Sequence, residues 1–151
     1  MNGDVIERIN IRALAIEDYD SMVELWKRAN LPFKPQGREH KRMVAQQMEA
    51  SPDFFIGAFH EERLVGVVIG SYDGRSKGWV NRLAVDPAYR RLGIAEQLIS
   101  HVEEALEKHG AAIFAALIET PNKQSVGLFR KMGYAIHPEI LYITKRRSEE
   151  V

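Results

Sequence analysis

The sequence predicts a mixed α/β domain, and three observations carry that prediction. Apolar residues recur at helical spacing in some segments, and at alternate positions or in short continuous runs in others. Those segments follow the order strand, two helices, a run of strands, then strand–helix–strand–helix–strand. The chain has 151 residues, 45% of them hydrophobic, and shows no repeat, low-complexity stretch or linker. A single domain over 1–151 is therefore expected, with its core at about 6–144. A chain of this length buries roughly two thirds of its unfolded surface.

The elements follow in order. Residues 6–14, with Ile6, Ile9 and Ile11, suit a first strand. Asp18 or Asp20 caps a helix in which Met22, Val23, Leu25, Trp26 and Ala29 recur at helical spacing. LPFKPQG breaks it, and a second helix runs from Arg38 to Ala50, stopped by Ser51-Pro52. FFIGAFH (54–60) and LVGVVIGSY (64–72) read as a hairpin about Glu61-Glu62. Asp73-Gly74 turns the chain into WVNRLAV (79–85), which Asp86-Pro87 ends. From Gly93 to His109 a long helix points Ile94, Leu98, Ile99, Val102, Ala105 and Leu106 inward, and Gly110 terminates it. AIFAALIE (112–119) is an apolar strand, Gln124 to Met132 a short helix, and YAIHPEILYIT (134–144) a last strand or strand pair. That makes six or seven strands and about four helices. KRRSEEV (145–151) is a charged tail expected to fray.

Several classes of function are excluded early. Lys and Arg total 21 and so do Asp and Glu, which leaves no basic footprint for nucleic acid. Without cysteine there is no disulfide, thiolate metal site or cysteine nucleophile. The start, MNGDVIERINIR, lacks the apolar run of a signal peptide, and no segment approaches the ~18 apolar residues of a membrane span. A cytoplasmic protein without membrane attachment is expected. His101 and His109 share a helix but lie eight residues apart, and the other histidines are scattered, so no metal site is expected.

The segment LAVDPAYRRLGIAEQLISHVEEAL (83–106) carries the chemistry. A strand ends at Val85, a loop brings Arg90 and Arg91, and a helix opens at Gly93. The first turn of a helix leaves N–H groups unpaired at the positive end of its dipole. Small residues at Gly93 and Ala95 let a ligand reach that backbone, and two arginines suit phosphate oxygens. The other reading is a solvated loop in which Gly93 serves only the turn.

Arg90-x-x-Gly93-x-Ala95 after Leu-Ala-Val-Asp-Pro resembles the coenzyme-A motif of the GCN5-related N-acetyltransferase (GNAT) superfamily. About 30 residues on, Asn122 to Tyr134 resembles the family's second motif, Asn-x-x-Ala-x-x-Leu-Tyr-x-Lys-x-Gly-Phe. The resemblance runs from about Arg8 to Ile143. The stretch Gly70 to Trp79 and LWKRANLP are similar to the YpeA-like subgroup.

The resemblance implies a mixed, mostly antiparallel sheet of 6–7 strands with about four helices and a splayed strand pair. Leu83, Ala84 and Val85 would pair with the pantetheine arm. The backbone from Arg91 through Leu92, Gly93 and Ile94 to Ala95 would hold the pyrophosphate, with Arg90 or Arg91 adding charge. Asn122 and Ser125 would lie along the pantetheine. Phe129 would either pack beside it or serve as a core aromatic. The implied reaction is acetyl transfer from acetyl-CoA to a primary amine of a small molecule or peptide, by direct attack in a ternary complex. The implied alternative is a silent acyl-CoA-binding sensor or partner module. Family habit allows a homodimer, and no metal is implied.

Acetyl transfer needs a neutral amine, so a base must take a proton from an ammonium of pKa near 10.4. Glu119, at the end of the strand 112–119, either serves that role or is an exposed acid at a strand end. Many family members carry a tyrosine as proton donor where this chain has Phe129. Tyr142, on the last strand, is the other candidate donor, and Tyr134 reads as a packing aromatic. The acceptor pocket would be walled by the first two helices and their loop. Trp26 and Phe33 either form that wall or pack beneath the loop, and Asn81 positions a water.

Overall fold

The computed structural model describes residues 5–6, 8–119 and 122–151. Five strands form one sheet in the order β1 (Ile9–Ala13), β2 (Phe55–His60), β3 (Arg63–Tyr72), β4 (Lys77–Val85) and β5 (Ile113–Ala115). The first four pair antiparallel, and β4 pairs parallel with β5. Among the elements lying wholly in the described residues, four helices pack on it: α1 (Tyr19–Arg28), α2 (Lys41–Ala50), α3 (Ile94–Lys108) and α4 (Lys123–Lys131). Position 7 of the expected first strand lies outside the described residues.

The centre of the sheet is covered on both faces, which is why β2 and β3 read as almost continuous apolar runs. On one face Ile56, Ala58, Val65 and Val68 meet Ile94, Leu98, Ile99, Val102 and Leu106 of α3. On the other, Phe55, Phe59, Leu64 and Val67 meet Met22, Leu25 and Trp26 of α1 and Val44 and Met48 of α2. The five inward residues of α3 are at most 2% exposed. Each side chain so buried contributes at most about 1.5–3 kcal/mol. Gly66 and Gly78 let α3 come close, because a Cβ at Gly78 would stand 2.8 Å from Leu106 Cδ1.

Turn chemistry follows the sequence. Asp73 accepts backbone N–H bonds from Arg75, Ser76 and Lys77 at 2.7, 2.9 and 3.1 Å, and Gly74 takes φ 85°. Those three bonds hold the Asp73 carboxyl below its ordinary pKa. His40 caps α2 by accepting from Arg42 N, so that helix opens at Lys41 rather than Arg38.

The expected 6–7 strands become five among the described residues. The run 112–119 pairs only over Ile113–Ala115. Residues 134–144 form no strand; Pro138 lacks an N–H, and a turn from Ile140 N to His137 O interrupts the run. Apolar alternation marks a segment fit for a strand, but a strand also needs a neighbouring edge to pair with. The tail does not simply fray: Lys34 Nζ donates to Glu149 O at 2.8 Å.

Candidate active site

The site is made where two parallel strands part. β4 and β5 pair only from Lys77 to Trp79 and from Ile113 to Ala115, after which β4 runs on to Val85 with that edge unpaired. Within this free stretch β4 carries a bulge. Its register against β3 slips between Val67 and Ile69, and Arg82 takes φ 54°. The Arg82 guanidinium lies 4.5 Å above the Trp26 ring and donates to Pro32 O at 2.6 Å, which ties the bulge to the α1–α2 loop.

Beyond β4 the loop is anchored by Asp86, 3% exposed. It accepts from Arg28 Nε at 3.0 Å, Arg63 Nη2 at 3.1 Å and Ala88 N at 2.9 Å. Burial pushes the Asp86 carboxyl up, but these hydrogen bonds and the two arginines outweigh it and hold the pKa below its usual value. Tyr89 Oη and His60 Nδ1 are hydrogen-bonded at 2.7 Å, fixing the next turn.

The chain then turns twice through left-handed backbone, at Arg91 (φ 64°) and Gly93 (φ 82°), and enters α3 with no side chain capping its first N–H groups. A Cβ at Gly93 would meet nothing within 4 Å, so the approach to those groups is open. Arg90 and Arg91 are exposed and form no ion pair among the described residues. Uncapped amides at a helix start, with two free guanidinium groups beside them, suit a diphosphate.

These parts surround one cleft of about 340 Å³. Of the residues expected at a coenzyme site, Leu83, Ala84, Val85, Arg90, Arg91, Gly93, Ala95, Asn122 and Ser125 line it together. Asn122 also caps α4, its Oδ1 accepting from Ser125 N at 3.1 Å. Leu92 and Ile94 turn their side chains to the core, leaving only their backbone for a ligand. Tyr89, Ala29, Leu31, Glu96, Gln124 and Leu128 also line the cleft and were not expected. Leu128 was findable, since it lies three residues from Ser125 on the same helix face.

For Phe129 and Trp26 the packing reading holds, and the strand placement of Tyr142 is corrected. Phe129 is 6% exposed, stacks edge-on against Tyr134 at 5.0 Å, and belongs to the core rather than the cleft. Trp26 is fully buried beneath Arg82 and Phe33, so it supports the loop and cannot touch an acceptor. Tyr142 lies on no strand and is 68% exposed. Asn81 is half-buried and donates to Ser71 Oγ at 3.1 Å; Phe33, in the loop itself, is half-buried; Glu119 is exposed. Among the described residues no three His, Asp or Glu side chains gather as metal ligands, and no helix is long and apolar enough to cross a membrane.

A parallel strand pair thus splays beside an uncapped helix start. Residues 19–134 match the acetyltransferase (GNAT) family, and the chain belongs to it. An acetyltransferase of Sodalis glossinidius (strain morsitans) is 28% identical over 142 residues, covering 94% of this chain and 98% of that one. The fold is shared with PaiA N-acetyltransferase of Thermoplasma acidophilum in complex with coenzyme A (TM-score 0.75, 20% identity, 85% of this chain and 91% of that one). It is shared also with AAC(6')-Iy in complex with the bisubstrate analog CoA-S-monomethyl-acetylneamine (TM-score 0.73, 17% identity, 91% and 98%). The protein is an acyl-CoA-dependent N-acetyltransferase with acetyl-CoA as its co-substrate.

Proposed function

We propose that the chain acetylates a primary amine by direct attack on the thioester of acetyl-CoA within a ternary complex. The observation that carries this reading is the joining of the open β4 edge and the uncapped start of α3 in one cleft. The free backbone groups of Leu83 to Val85 suit an amide-bearing arm, and the amides from Arg91 to Ala95 with the two arginines suit its diphosphate. The bulge at Arg82 leaves backbone N–H groups beside the thioester end, where a donor stabilises the oxygen that gains charge in the transition state. The bisubstrate analog held by AAC(6')-Iy supports attack with both substrates bound, and with no cysteine in the chain a thioester acyl-enzyme has no residue to form on.

Glu119 takes the proton. Glu119 follows by four residues Ala115, which pairs with Trp79 where the two strands part. Among the described residues it has no ion-pair partner, whereas Glu96, which lines the cleft, is paired with Lys131 at 2.9 Å. The departing thiolate, with a parent pKa near 8.5, leaves without a dedicated acid. Phe129 is buried, and Tyr134 is engaged with Glu103.

Thiol release from acetyl-CoA over a panel of primary amines tests the proposal. Amine-dependent release of free CoA is expected. Saturable binding with no release for any amine would mark the cleft as a silent acyl-CoA sensor, and would overturn it.

A further inference from the structure

We propose that Glu39 is a positioning residue for acetyl transfer: acting through Arg82, its carboxylate holds the left-handed turn of β4 that aims backbone N–H groups at the thioester. This role rests on the acetyl transfer proposed above and adds to it a residue that touches neither substrate.

Among the described residues Glu39 and Asp86 are the two buried acids, at 4 and 3% exposed. Asp86 anchors the loop after β4, whereas Glu39 sits in the α1–α2 loop and does not line the cleft. Taking a carboxylate out of water is costly unless it is paired, so its partners say what it holds. Glu39 Oε2 accepts from Lys34 N at 2.9 Å. Its Oε1 accepts from Arg38 Nε at 3.0 Å and lies 3.5 Å from Arg82 Nη1. Lys34 and Arg38 belong to the same loop, and the Arg38 side chain is 57% exposed. Arg82 comes from the sheet and is only 18% exposed, so solvent screens this pair far less.

The turn at Arg82 needs such a hold. A φ of 54° is disfavoured in a residue with a Cβ, and it persists only where surrounding contacts fix it. Here the side chain makes those contacts, with the Trp26 ring, with Pro32 O and with Glu39. Nε and Nη2 of the same guanidinium are buried and have no hydrogen-bond partner among the described residues. Glu39 is therefore the carboxylate that offsets a largely desolvated cation. It is itself fixed in place, since its N–H donates to Lys34 O at 3.2 Å and its carbonyl accepts from Tyr19 Oη at 2.5 Å. Leu83, Ala84 and Val85 follow the turn directly and line the cleft, so one ion pair and one side chain separate Glu39 from the backbone that meets the coenzyme.

Glu39→Gln keeps the size of the side chain and an acceptor for Lys34 N, and removes the charge. With acetyl-CoA and an amine that the wild type accepts, kcat is expected to fall at least about tenfold, short of the roughly 10²–10³-fold lost when such a donor is removed outright. The KM for acetyl-CoA should stay within about twofold. The pH–rate profile should drop without shifting, because Glu39 takes no proton in the reaction. Arg82→Met, which still covers Trp26, is expected to lower kcat as much, and adding Glu39→Gln to it to lower kcat no further. Tyr19→Phe removes a hydrogen bond to the same residue, and is expected to lower the unfolding temperature with kcat unchanged. Wild-type kcat in Glu39→Gln or in Arg82→Met, losses that multiply in the double variant, or a matching fall of kcat in Tyr19→Phe would overturn the role of Glu39 while leaving the reaction intact. A wild type that releases CoA with no amine would overturn the reaction and this role together.

Discussion

Tyr134 donates its phenol hydrogen to Glu103 Oε2 at 2.6 Å. Burial first, and then the Glu103 carboxylate, push the Tyr134 pKa far above the ordinary tyrosine value. Its ring packs edge-on against Phe129, so both aromatics of the second motif hold α4 against α3 instead of serving the thioester. Tyr134→Phe is therefore expected to lower stability by about 1 kcal/mol, the worth of one half-buried hydrogen bond. The acetylation rate and its pH profile should not change; thermal unfolding beside a thiol-release assay reads both. A large drop in kcat with unchanged stability would make Tyr134 the missing acid.

Arg90 and Arg91 are expected to act on binding and not on the chemical step. Replacing both with Ala removes two charge-assisted contacts and should raise the KM for acetyl-CoA by about 10–100-fold, with kcat changed much less. The loss should shrink with ionic strength, because both side chains are exposed and salt screens their contacts in the wild type.

Glu119→Gln keeps the size of the side chain and removes the base. It is expected to lower kcat at neutral pH by about 100-fold and to leave the unfolding temperature unchanged, since the residue is exposed. Parallel pH–rate profiles of the two proteins check this. Persistence of wild-type activity would reassign the proton to water.

Asp86 governs how the protein responds to acid. Its folded pKa lies below the unfolded value near 3.9, so its ion pairs stabilise the fold above that pH. Their contribution is lost as pH falls through the depressed folded value. Asp86→Asn leaves Arg28 and Arg63 facing a neutral group, and is expected to cost about 2 kcal/mol at pH 7. That figure is discounted because both arginines reach solvent. The gap to wild type should close below about pH 4 in urea unfolding followed across pH.

Gly93, Arg90 and Arg91 were legible in the sequence because the physics of a helix start is local: a few consecutive residues set the loop, and the amides follow. Leu98 and Val102 were legible because their period carries the burial pattern. For Trp26 and Phe129 two readings stayed open. Each is an aromatic residue near the cleft in sequence, and only the packing of Arg82 over one ring and Tyr134 against the other turns them inward. The run 134–144 was misread for a related reason. Its side chains suit a strand, but strand formation depends on an edge elsewhere in space, which no local pattern specifies.

Calorimetric titration of acetyl-CoA into the wild-type chain and into the Arg90→Ala, Arg91→Ala variant tests the central claim most directly. The expected result is saturable binding of one acetyl-CoA per chain, with affinity in the variant reduced at least tenfold. Equal affinity in the two proteins, or no saturable binding by the wild type, would contradict the assignment of this cleft to the coenzyme.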